Sequence, residues 1–143
     1  MPEIVAQTQL SPQQLCQELV RSDPWRVLVV CLMLNQTSGV QVRRVFPEFF
    51  RRYPTPHALI EASIDDVKLL IRPLGFQNRR YERLLRMSRD YIVWDRNDVT
   101  ELHGVGKYAA DSYRIFVDDV IIDDAQDKEL KKYTEWARTV QTT

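Results

Sequence analysis

The chain has 143 residues, with 20 basic and 20 acidic side chains and a formal net charge of zero. That length predicts a single domain over 1–143 with a sizeable core. No apolar run reaches the roughly eighteen residues of a membrane span, and Met1-Pro2-Glu3 lacks the basic and apolar runs of a secretory signal. The expected setting is therefore inside the cell: the nucleus of a eukaryote, or the cytoplasm and nucleoid of a prokaryote.

Helix signals follow one another along the chain, and no convincing strand alternation interrupts them, so an all-α fold is predicted. Ser11-Pro12 reads as an N-cap and first-turn proline, starting a helix that runs to about Arg21. Cys16 and Cys31 each lie in an apolar stretch and are expected as buried, reduced thiols. Asp23-Pro24 starts the second helix. Its body, Trp25 to Leu34, is apolar nearly all round and should be the central buried helix, broken at Asn35 to Gly39. Val40 to Tyr53 is amphipathic, with Val42, Val45, Phe46, Phe49 and Phe50 inward and Pro47 expected to kink or divide it. Thr55-Pro56 and Ser63 cap two short helices, Pro73-Leu74-Gly75-Phe76 makes a turn, and a long helix covers about Asn78 to Tyr91. A short turn, the Gly104–Gly106 hairpin and a helix from about Lys107 to Val117 make a helix-hairpin-helix unit over about 98–117. Asp118 to Gln126 is an acidic connection, and Asp127 begins the last helix, with Leu130, Tyr133 and Trp136 on one face. Zero net charge argues against nucleic acid, but distribution counts for more. Arginine crowds the middle of the chain (Arg43, Arg44, Arg51, Arg52, Arg72, Arg79, Arg80, Arg83, Arg86, Arg89), while acids gather at Asp118, Asp119, Asp123 and Asp124.

Four short stretches carry chemistry beyond helix formation. The first is Leu102-His103-Gly104-Val105-Gly106-Lys107. A Gly-X-Gly turn between helices can aim bare N–H groups at a phosphate, and Lys107 places a cation at a helix N-terminus, where the dipole disfavours it unless an anion is near. A plain helix-helix turn with Val105 as its core plug is the alternative. The second is Asp127, a carboxylate about twenty residues on, which would otherwise be only a helix cap. The third is the polar loop Asn35-Gln36-Thr37-Ser38-Gly39, held at the end of a rigid helix. The fourth is Leu74-Gly75-Phe76, an apolar tip able to wedge between bases or to pack as a buried turn.

Taken together in order, these stretches resemble the helix-hairpin-helix DNA glycosylases, the superfamily of endonuclease III and the adenine-mismatch enzymes. The nearest likeness is the glycosylase domain of the methyl-CpG-binding thymine glycosylase and its archaeal mismatch relatives. It rests on Asp23-Pro24-Trp25-Arg26, Leu34-Asn35-x-Thr37-Ser38-Gly39, Pro73-Leu74-Gly75, Glu101-Leu102-His103-Gly104-x-Gly106-Lys107-Tyr108, Asp111-Ser112-Tyr113-Arg114-Ile115-Phe116, and Asp127 with Leu130, Lys132-Tyr133 and Trp136.

The resemblance implies two helical lobes with the active site in the cleft between them, and removal of a flipped-out base from double-stranded DNA carrying a mismatch or damaged base. It assigns Asp127 as the catalytic carboxylate and the hairpin His103 to Lys107 as the phosphate grip. Gln17 and Tyr108 would line the base pocket. Gln36 and Phe76, with Thr37, Ser38, Gly39, Leu74 and Gly75 around them, would fill the vacated space. Tyr108 stands where bifunctional relatives carry an attacking lysine; a phenol has no amine for a Schiff base, which implies a monofunctional enzyme. Two cysteines cannot form the four-cysteine iron–sulfur site of endonuclease III, so no cofactor and no catalytic metal are expected, only a monovalent cation at the hairpin at most. A monomer is expected. The chain departs from the close thymine enzyme at Gln36 (arginine there), Phe76 (leucine) and Glu129 (lysine), which leaves the preferred base open. Mispaired thymine or uracil opposite guanine is the first expectation; another damaged base, mispaired adenine, a hairpin module without catalysis, and a helical protein-interaction domain are the alternatives.

Overall fold

The computed structural model describes residues 3–4 and 9–141. Among these described residues eight helices follow in chain order: α1 (Cys16–Leu19), α2 (Pro24–Leu34), α3 (Gly39–Arg52), α4 (Pro56–Glu61), α5 (Ile64–Ile71), α6 (Gln77–Val93), α7 (Lys107–Phe116) and α8 (Lys128–Gln141). Short 3₁₀ turns at Arg72–Leu74 and Val99–Glu101 precede α6 and α7. α2 is the shared element. It packs on α3 and α6 on one side and on α1 and α7 on the other, while α4 and α5 close over α6. Two groups of helices thus meet along one buried rod.

The reasons are local. The Asp23 carboxylate accepts from the N–H groups of Trp25 (3.1 Å) and Arg26 (3.4 Å), and Pro24 supplies the first helical φ. From Trp25 to Met33 only Arg26 escapes full burial. Trp25 keeps its indole N–H satisfied on the Ser88 hydroxyl at 3.0 Å. In α3, Val42, Val45, Phe46, Phe49 and Phe50 are buried as expected, under a Ser38 cap. Pro47 does not divide that helix. Both Pro47 and Arg43, whose carbonyl loses its partner to the proline, lie on the exposed side where water can reach. At the other end of the chain, α8 buries Leu130 and Tyr133 and half-buries Trp136, with the Phe116 and Tyr133 rings 4.7 Å apart.

Two expectations fail. The helix expected from Ser11 to Arg21 shrinks to Cys16–Leu19. Ser11 is not a helix cap: its N–H and its hydroxyl donate to the Glu18 carboxylate at 2.7 and 2.6 Å, and Leu15 N–H donates there at 2.7 Å. Gln14 sits at φ +46°, which a continuing helix forbids. A strand also exists where none was expected: Val120–Ile121 pairs antiparallel with Glu3–Ile4. The acidic segment after α7 packs against the core: Ile121, Ile122 and Ala125 are buried, and Arg21 bridges Asp119 at 2.7 Å while donating to the Tyr133 hydroxyl at 3.1 Å.

Glu18 is buried and clamps three donors with no competing solvent. Glu18→Ala is expected to lower the free energy of unfolding by about 3 kcal/mol, with Glu18→Gln losing less. Urea titration measures both; a loss below about 0.5 kcal/mol would show that the clamp contributes nothing.

Candidate active site and nucleic-acid interface

A cleft of about 1090 Å³ opens between the two helix groups, beside the C-terminus of α2. Of the residues singled out from sequence, it gathers Gln17, Gln36, Thr37, Gly39, His103, Gly104, Gly106, Lys107, Tyr108 and Asp127 on its walls. Ser38, Leu74, Gly75, Phe76 and Val105 lie outside those walls.

On the floor, Gln17 is buried at 1% exposure, and its amide donates to the Tyr108 hydroxyl at 2.7 Å and to Ser112 Oγ at 3.3 Å. Residues 91 positions apart are thereby locked side by side. Ser112 was not singled out, although it lies one helical turn after Tyr108 and so shares its face. Cys31 completes the wall. Burial pushes its thiol up to about 12, against the weaker opposing pull of hydrogen bonds from Ser112 and Gln17. Burial likewise raises the Tyr108 phenol well above its ordinary value, with the neighbouring Cys31 adding to the shift. Both groups are neutral at physiological pH, and Cys16 and Cys31 are free thiols.

Asp127 stands half-buried at the start of α8. Its Oδ2 accepts from Leu130 N–H at 3.0 Å, so it is the helix cap. Its Oδ1 has no protein partner among the described residues and belongs to a cleft-lining side chain. Capping and chemistry are compatible here, because the cap fixes one oxygen and leaves the other. Next to it, Glu129 is tied down by Gln13, whose amide donates to the Glu129 carbonyl (3.0 Å) and carboxylate (2.7 Å).

The hairpin is tight. Gly104 has φ +81°, and an added Cβ would lie 3.2 Å from Leu32 Cδ2. Gly106 is extended (φ −101°, ψ −159°) and serves as the N-cap of α7 without a side chain, leaving the first-turn N–H groups of α7 uncapped. Two N–H groups of the turn are already used: His103 donates to Asp90 Oδ2 (2.9 Å) and Val105 to the Leu102 carbonyl (3.1 Å). The Val105 side chain is a core plug at 7% exposure, so only its backbone can face a ligand. Lys107 already has an anion within the protein: its Nζ lies 3.0 Å from Asp111 Oδ2, one turn on.

The two loops on either side of α6's start are joined by Arg80, a residue that sequence reasoning counted only as part of a basic stretch. Its guanidinium donates to the carbonyls of Leu32, Met33, Asn35, Leu74 and Gly75 and to Thr37 Oγ1, at 2.9 to 3.2 Å. Leu74 is buried at 5%, in line with the buried-turn alternative, while Phe76 alone stands exposed, at 63%. Gln36 (φ +60°) and Phe76 (φ +50°) both hold left-handed backbone, which costs a non-glycine residue about 1 kcal/mol. Ser38 caps α3 through Gln41 N–H at 3.2 Å. Elsewhere the basic middle is partly self-neutralised: Arg51 and Arg52 pair with Glu48, and Arg86 with Glu82. Arg43 and Arg83 remain on the cleft wall.

Residues 29–143 match the family described as HhH-GPD superfamily base excision DNA repair protein. The chain belongs to that superfamily. A methyl-CpG-binding domain protein 4-like protein of Arabidopsis thaliana is 45% identical over 106 residues, covering 74% of this chain and 24% of that protein. A thymine/uracil-DNA glycosylase of Pyrobaculum aerophilum is 42% identical over 95 residues, 62% of this chain and 41% of that one. The chain thus spans less than half the length of either relative. The structure of a non-covalent endonuclease III–DNA complex superposes at TM-score 0.66 and 20% identity, over 78% of this chain and 55% of that one, and establishes the helix-hairpin-helix glycosylase fold.

The HhH-GPD hairpin glycines differ in their demands. Gly104→Ala is expected to cost about 1–2 kcal/mol through its left-handed backbone, whereas Gly106→Ala, with nothing within 4 Å of the new Cβ, should cost only about 0.5 kcal/mol, the N-cap preference for glycine over alanine. Urea melts of the two variants check the contrast; equal losses would contradict it.

Proposed function

We propose that this chain is a monofunctional DNA glycosylase that flips a mispaired pyrimidine, thymine or uracil opposite guanine, into the cleft and removes it hydrolytically. The observation that carries the reading is the convergence of Gln17, Tyr108 and the free oxygen of Asp127 in one cleft, next to a hairpin whose following helix presents uncapped N–H groups. The names of the relatives, a thymine/uracil-DNA glycosylase among them, support the choice of base.

In this reading the hairpin and cleft arginines hold the duplex backbone, and the protein acts inside the cell as a monomer. A mispair lowers the few kcal/mol needed to extrude a base. Gln36 and Phe76 occupy the space left behind. In the pocket the Gln17 amide oxygen, left over by the bonds its nitrogen makes to Tyr108 and Ser112, accepts from the pyrimidine's imide N–H, with Tyr108 alongside. As the N-glycosidic bond breaks, its electron pair leaves with the base, and positive charge grows on the sugar. The Asp127 carboxylate stabilises that charge and orients the water that adds to C1′, taking up its proton. Tyr108 has no amine with which to trap the sugar, so the product is an abasic site in an unbroken strand. No cofactor enters the chemistry. A monovalent cation at the hairpin would act only between the turn and a phosphate.

A specific observation also fits a binding module without catalysis: Asp127 already has a structural task as a cap. Asp127→Asn separates the two, because asparagine caps as well as aspartate. The variant should fold and bind a uracil:guanine duplex within about threefold of the wild type, while base release falls by about 1000-fold or more. Undiminished release would remove Asp127 from the mechanism.

A further inference from the structure

Arg80 is buried at 5% exposure and pairs with no carboxylate among the described residues. Its partners are instead almost all backbone carbonyls. Nη1 donates to Leu32 and Met33, in the last turn of α2, at 2.9 Å each. Those carbonyls lack helical partners and carry the negative end of the helix dipole, so a cation there is well placed. Nη2 reaches Asn35 (3.1 Å), Thr37 Oγ1 (2.9 Å) and Leu74 (3.2 Å), and Nε reaches Gly75 (3.2 Å). One planar group therefore holds two separate turns. Thr37 doubles the tie by donating onward from its hydroxyl to the Leu74 carbonyl at 3.1 Å, and Gln41 adds a bond to the Pro73 carbonyl at 3.3 Å.

Each of these turns ends in one exposed side chain on left-handed backbone: Gln36 at φ +60° and Phe76 at φ +50°. Gln36 directly follows a carbonyl that Arg80 holds, and Phe76 directly follows another. Two strained tips locked to a single buried group can keep their separation when they meet a ligand. A lysine could not do the same, since one ammonium nitrogen cannot span acceptors on both turns.

We infer that Arg80 is a positioning residue for the reaction: it fixes Gln36 and Phe76 as a rigid pair, and so sets the geometry with which the protein fills the gap left by a flipped base. The inference rests on the proposal above that these two side chains enter the duplex. Arg80 itself touches neither substrate nor reacting atoms; it acts through the two tips.

The test is a mutant cycle on single-turnover base release from a uracil:guanine duplex, with folding followed by urea titration. Arg80→Lys should slow release by about 100-fold, the scale of a small misplacement of reacting groups. In a Gln36→Ala/Phe76→Ala background the same change should slow it by less than about threefold, because the residues through which Arg80 acts are gone. A full loss persisting in that background overturns the inference and leaves Arg80 a purely structural residue, as does an unchanged rate in Arg80→Lys. If Arg80→Lys does not fold, Thr37→Val removes only the bridging hydroxyl and should show the same pattern at about tenfold; additive losses overturn the inference here too. The cycle stays informative if the wild type releases no base. Duplex with 2-aminopurine beside a mispair should then brighten on binding the wild type and stay dark on binding Arg80→Lys. Equal brightening, or none with the wild type, overturns the positioning role, whereas absence of base release alone counts only against the function proposed above.

Discussion

The C-terminus of α2 is the point on which the arrangement turns. A helix buried along nearly its whole length must end somewhere, and its last carbonyls need partners wherever water cannot reach them. Here it ends at the edge of the cleft, and the Arg80 guanidinium takes up the Leu32 and Met33 carbonyls. That solution has consequences beyond the helix end. The same group holds the turn that follows α2 and the turn that precedes α6, so the two loops on that side of the cleft share one anchor. Leu32, in that last turn, also crowds the hairpin, since an added Cβ at position 104 would lie 3.2 Å from its Cδ2. The floor of the cleft, its loops and its hairpin are therefore all referenced to one helix terminus.

A buried guanidinium with only neutral partners is costly in desolvation, and burial pulls its proton affinity down. Five carbonyls and a hydroxyl offset that cost by saturating every N–H it has. The pocket floor follows the opposite policy. Gln17, Tyr108, Ser112 and Cys31 are neutral polar groups that satisfy one another, and burial holds the phenol and thiol protonated. Against such a wall, a carboxylate that keeps one oxygen free has a larger effect on nearby developing charge than it would in water. Under the proposed reaction, the cap bond that holds Asp127 would serve it well, because a group already held in place needs little reorganisation when charge appears.

Much of this was legible in the residues. Asp23-Pro24 marks the start of α2, Thr55 and Ser63 cap where expected, and the Gly104–Gly106 turn opens α7. These features are local, written in caps and apolar spacing. What was missed is non-local. Ser11-Pro12 looks like a helix start until Glu18 captures Ser11 from seven residues away. Lys107 was matched only to a phosphate, yet α7 turns Asp111 towards it, a spacing of four that the sequence did contain. Nothing near Arg80 distinguishes it from the arginines around it; its burial follows only from how α6 crosses the end of α2. The pairing of Gln17 with Tyr108 likewise needs the fold, although the family likeness pointed to both. Glu129 stands on the cleft wall, so the reversed charge seen at that position in the sequence faces the site, tied to Gln13.

The most direct test of the central claim is product analysis on duplexes carrying a single uracil or thymine opposite guanine, with correctly paired controls. Free pyrimidine should appear in solution, the strand should stay intact until alkali is added, and borohydride should trap no protein–DNA adduct. A trapped adduct or strand scission without alkali would contradict the monofunctional mechanism, and the absence of any released base would contradict glycosylase activity on these mispairs.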